Sequence, residues 1–169
     1  MKKFILLIIL ILTGLLSFNI AYAEECGFAG LEIGDDTSKA IEIYGEPNEE
    51  EISDVENLYI ETEFKMICPG HGIEDGKVRI IFVGDEIGGF LIESLTQIDD
   101  DNIKEKLIYH YIKENYNNLT TKIESLDWTG GTYWKTFENK FYYDKKLIRK
   151  KSVIKEKLLI TNAEFGKYL

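Results

Sequence analysis

The chain has 169 residues, with 30 Asp and Glu against 20 Lys and Arg, a net charge of −10, and 44% hydrophobic side chains. That apolar content can build a core, two prolines leave no basis for a polyproline linker or low-complexity tail, and the acidic balance argues against nucleic acid as the main partner. The charge is uneven, because residues 24–101 carry 22 acidic against 4 basic side chains while residues 102–169 carry 8 against 14. Two solvated faces that attract each other weakly account for this pattern, and an acidic surface that docks on a basic partner is the sharper reading.

Met1 to Ala23 opens with Lys2 and Lys3, runs through apolar residues from Phe4 to Leu16 and closes on Ala21-Tyr22-Ala23. This is the pattern of a secretory signal peptide cleaved after Ala23. Thr13, Gly14, Ser17 and Asn19 interrupt the run, and a spanning helix needs about 20 apolar residues. The expected product is residues 24–169, one exported α+β domain that is periplasmic or secreted, with no membrane span after cleavage. The short lysine start and the Ile-, Lys- and Asn-rich composition suggest a bacterial source.

Asp36 or Thr37 can cap a helix that runs through Tyr44, with Gly45 ending it and Pro47 preventing continuation. Ala40, Ile41 and Tyr44 form its expected buried stripe, and Glu46 to Glu51 read as an acidic loop. Strands are expected over Asp54–Met66, Lys77–Val83 and Gly88–Ser94, with a loop at Gly70–Gly76 and a turn at Gly84-Asp85. Asp99-Asp100-Asp101 suits a helix start, and Ile103, Leu107, Ile108, Tyr111, Ile112 and Tyr116 recur on one helical face that should end near Asn117-Asn118.

Beyond that helix, aromatic and β-branched residues on both sides of Gly130-Gly131 suggest strands, with another turn at Glu138-Asn139-Lys140. Residues 144–160 mix helix-favouring Lys, Glu and Leu with a pattern that fits a final strand from Ser152 to Asn162. The strand is preferred, because the preceding strands otherwise lack a long neighbour. The fold class is therefore α+β, two helices packed on antiparallel β-sheet. Two helix-plus-meander halves, 24–98 and 99–169, describe the order of elements, although no residue-by-residue repeat is found.

Gly30-Leu31-Glu32-Ile33-Gly34, followed by Thr37, Ala40, Ile41, Tyr44-Gly45 and Pro47, resembles the start of the repeat shared by the bacterial outer-membrane assembly lipoprotein and the β-lactamase inhibitor proteins. The resemblance covers residues 30–94, lacks the lipoprotein's lipobox and carries over no binding residue. It implies a non-catalytic, protein-binding module of the envelope or the medium.

Cys26 and Cys68 are the two cysteines of a chain addressed to an oxidising compartment, so one disulfide between them is expected. Cys68-Pro69-Gly70-His71 has a C-x-x-H spacing, but His110 is the one other histidine and thiolate ligation would compete with the disulfide. No metal or cofactor is therefore expected, and His71 is read as an exposed loop residue. No Gly-x-Ser-x-Gly elbow, His-Glu-x-x-His helix or phosphate loop appears, and no catalytic residue is assigned. In the aromatic cluster around Gly130-Gly131, Tyr133 and Trp134 are the candidate binding surface. The leading expectation is a non-enzymatic factor binding an envelope or secreted protein. The alternatives are an inhibitor or immunity protein that binds a basic enzyme, and a small envelope hydrolase using carboxylates or His71.

Overall fold

A computed structural model of the protein describes residues 27–52, 55–73, 75–98, 103, 107–116, 127–136 and 138–169, with no account of the side chains at 49–57. The signal segment, Cys26, the Asp99–Asp101 triplet and Asn117-Asn118 lie outside the described residues, as does any strand immediately before residue 127.

Helix α1, Thr37–Tyr44, forms where the sequence supplies both ends. The Asp36 carboxylate accepts from the Ser38 N–H at 2.8 Å, and Gly45, at φ 90°, donates its N–H to the Ile41 carbonyl. Ala40 is fully buried, with Ile41 and Tyr44 packed partly against the core. Just upstream, Gly34 and Thr37 donate to the carbonyls of Ile87 and Asp85, and Ile87 donates back to Asp35. The helix entry is thereby tied to the turn at Gly84-Asp85.

Strand β1, Asn48–Ile52, pairs with β2, Val55–Glu63. The expected acidic loop at Glu46–Glu51 is thus mostly a strand at the edge of the sheet. The expected strand through Met66 stops at Glu63, and Phe64–Ile67 make one helical turn, α2, which buries Phe64 and Ile67. Strands β3, Lys77–Val83, and β4, Glu86–Gln97, continue the meander.

Helix α3 spans Ile108–Asn115, with Leu107 extended at φ −79° and ψ 139°. The helix therefore begins later than the sequence pattern suggests, although Ile103, Leu107, Ile108, Tyr111 and Ile112 are all buried as expected. Strands β5, Gly130–Lys135, β6, Asn139–Ile148, and β7, Val153–Asn162, form a second meander. Residues 144–148 and 153–160 are strand, so their Lys and Glu content yields to pairing with neighbours on both sides.

The seven strands form one antiparallel sheet in the order β1-β2-β3-β4-β7-β6-β5. The two meanders run inward from opposite edges and join where β4 pairs with β7. One sheet face carries Ile60, Val78, Ile80, Phe90, Ile92, Phe141, Tyr143, Leu158 and Ile160, which share a hydrophobic cluster with Ala40 of α1 and Ile108, Tyr111 and Ile112 of α3. The molecule is α+β. Because side chains alternate along each strand, the other face is left with the intervening residues.

Candidate functional site: the open face of the sheet

Register places the outward residues in rows. Glu61, Arg79, Leu91, Leu159, Tyr142 and Tyr133 are successive cross-strand partners from β2 to β5. Beside them run Glu63, Lys77, Glu93, Lys157, Asp144 and Gly131. The first row begins as an ion pair and ends as an apolar strip.

At the β5 end, the Tyr133 and Tyr142 rings lie 4.8 Å apart, centroid to centroid, and are 49% and 40% exposed. With Leu91, Leu159, Asp144 and Lys157 they line a shallow pocket of about 360 Å³. Gly131 leaves room at its rim, since a β-carbon there meets no atom within 4 Å. Such a concavity, apolar with a few polar groups at its margin, is the form that receives an anchoring side chain or small ligand.

The charges around it are partly neutralised from within. Glu61 receives Lys77 Nζ at 2.6 Å and Arg79 Nε at 3.0 Å, and these two cations hold its carboxyl below the usual range. Glu93 receives Lys157 Nζ at 2.6 Å, with Lys155 at 3.9 Å. Across β4, β7, β6 and β5 the outward side chains include Lys135, Lys140, Lys146, Lys155 and Lys157 against Glu86, Glu93 and Asp144. This part of a chain of net charge −10 is locally basic.

The two sequence candidates separate here. Tyr133 stands on the open face, whereas Trp134, its neighbour of opposite parity, is 8% exposed and packs on Tyr143 in the core at 5.6 Å. Trp134 is therefore removed from the binding surface, and Tyr142, the partner of Tyr133 in the pocket, was not singled out by the sequence. The signal for Tyr142 was available only through register, since Tyr142 lies opposite Tyr133.

His71 is not the exposed loop residue expected. Its side chain is 17% exposed, set edge-on to Phe64 and Tyr111, and its Nδ1 lies 3.9 Å from the Glu114 carboxylate. His110 meets the other oxygen of Glu114 at 3.0 Å. A second hollow, of about 480 Å³, lies beside His71 and Asp75. Among the described residues no group of three or more His, Cys, Asp and Glu is arranged to hold a metal ion. Cys68 is buried, and the sequence's other cysteine, Cys26, lies outside the described residues.

On the inner face, fully buried Glu156 accepts from the N–H groups of Ile108 at 3.0 Å and Tyr109 at 3.2 Å, from Ser94 Oγ at 3.4 Å and from the Tyr143 hydroxyl. Burial pushes its carboxyl up, against the opposing pull of Tyr143, the two backbone donors and Lys145. Burial pushes the Lys145 ammonium down. This carboxylate serves as the distant N-terminal cap of α3. It is walled off from solvent and works as a fastening of helix to sheet.

Comparison with protein families, characterised proteins and solved structures finds no match to this chain.

Proposed function

We propose that residues 24–169 form an exported, non-enzymatic factor, periplasmic or secreted, that binds an envelope or secreted protein through the open face of β4, β7, β6 and β5. The observation that carries this reading is the pair Tyr133 and Tyr142, two tyrosines exposed side by side over an apolar pocket in the half of the sheet where the second meander lies. Tyrosine anchors of this kind concentrate binding energy at protein interfaces, because they bury much area at low entropic cost. The signal-like segment at Met1–Ala23 supports export, and a Cys26–Cys68 disulfide belongs to the same proposal. No helix among the described residues is long and apolar enough to cross a membrane.

Chemical cross-linking in the native envelope, followed by mass spectrometry, tests this function. The expected outcome is a defined protein adduct that a Tyr133→Ala, Tyr142→Ala double variant loses by tenfold or more while keeping its thermal midpoint. An adduct unaffected by the double variant would contradict the proposal.

A further inference from the structure

The open face carries its lysines in an arrangement that works against the sheet itself. Lys135 on β5 lies directly opposite Lys140 on β6, and Lys146 on β6 directly opposite Lys155 on β7. Like charges at facing positions of an antiparallel pair are destabilising. Glu93, 3.9 Å from Lys155, relieves one pair in part, whereas Lys135, Lys140 and Lys146 have no ion pair among the described residues. The two lysine pairs bracket the tyrosine pocket, one on each side of Tyr142 along β6. From residue 140 to residue 146 the strand advances roughly 20 Å, at about 3.4 Å per residue.

We infer that this face receives an acidic, extended segment of a protein partner, with an apolar side chain seated between Tyr133 and Tyr142 and a carboxylate over each lysine pair. The inference rests on the protein-binding reading above and gives the partner a chemistry. Three observations converge on it. Three of the four lysines carry no ion pair among the described residues, the pocket between them is apolar, and their spacing along β6 matches a strand with acids six positions apart and an apolar residue two positions from one of them. The partner expected from the chain's overall charge, a basic enzyme, would meet repulsion on this face. A Lys–Tyr surface also suits single-stranded nucleic acid, which stacks bases on exposed rings over a cationic track, and the experiment separates the two.

The probe is a synthetic peptide, Glu-Ser-Phe-Ser-Ser-Ser-Glu with blocked ends, titrated into the isotope-labelled exported protein and followed by NMR. Saturable shifts confined to β5, β6 and β7 are expected, with affinity falling at least fivefold between low salt and physiological salt. Lys135→Glu and Lys146→Glu should each weaken the peptide fivefold or more while raising the thermal midpoint by roughly 2 °C, because each replaces a like-charge pair with an opposite one. Lys135→Ser, which adds no acid, should weaken the peptide by a smaller factor. The inference is overturned if the peptide with Lys in place of Glu binds as well, if a thymidine 12-mer binds more tightly, or if no shifts appear at millimolar peptide. It is likewise overturned if the glutamate variants lose thermal stability. Failure of the peptide beside a defined, Tyr142-dependent protein adduct would sink the acidic-segment inference alone. Absence of any such adduct would sink the binding reading itself.

Discussion

Glu156 is the side chain with the most structural consequence per atom. It is fully buried, yet it joins β7 to the start of α3, to Tyr143 on β6 and to Ser94 on β4. Glu156→Ala would leave two backbone donors and a phenol without their acceptor, at a cost on the order of 3 kcal/mol, measurable by urea unfolding. The pH dependence has a definite sign. Because burial raises the folded-state carboxyl above its ordinary value, the native state binds the extra proton, so this group's contribution makes stability fall as pH rises from the unfolded value, near 4.5, through the raised folded one. Glu156→Gln should remove that slope, and urea midpoints collected across the same range would show it. In the sequence Glu156 reads as one more charged side chain beside Lys155 and Lys157, and the parity that turns it inward becomes informative only once the strand is known. Trp134 and Tyr133 make the same point: Trp134→Ala should cost about 3 to 5 kcal/mol as a core truncation, whereas Tyr133→Ala should stay within about 0.5 kcal/mol and act on binding.

Elements were legible where punctuation was local. Asp36, Gly45 and Pro47 bracket α1 within their own turn, and β3 matches its apolar run because Gly76 and Gly84 flank it. Boundaries failed where a distant residue decides them. Helix α3 starts at Ile108 because Glu156, 48 residues away, supplies its N-terminal acceptor, and no window of local sequence contains that information. Strand β1 was missed because its Glu-rich composition disfavours strand, while its pairing with β2 supplies the hydrogen bonds that outweigh composition. Strand β4 is longer at both ends than its Gly88–Ser94 core, and its glycines have a steric reason. A β-carbon on Gly89 would stand 2.8 Å from the Ile160 carbonyl oxygen on β7. Gly89→Ala should therefore force apart the β4–β7 seam that unites the meanders, costing about 1 to 3 kcal/mol in a urea melt. At Gly131, with open space around it, the same change should be nearly neutral.

At the scale of the whole molecule, the α+β class followed from periodicity, and the order of elements, helix then strands in each half, was readable along the chain. The joining of both meanders into one seven-stranded sheet through β4 and β7 was not, because pairing partners 56 to 72 residues apart leave no periodic trace. The open face has the same origin: its basic strip is assembled from β5, β6 and β7, within a chain whose total charge points the other way. The proposed Cys26–Cys68 bridge would close a loop of about 42 residues, so reduction should lower stability by about 3 to 4 kcal/mol on the chain-entropy account, and urea melts with and without reductant would register the difference.

The proposed seat of another protein is the open face of the sheet at Tyr142. The most direct measurement replaces Tyr142 with a photo-activatable phenylalanine analogue in the exporting cell and, in a parallel strain, replaces Ile43 of α1, which is 50% exposed. A discrete adduct of one protein is expected at Tyr142 and none at Ile43. Equal labelling at both positions, or no adduct at Tyr142 with the protein folded and exported, would contradict it.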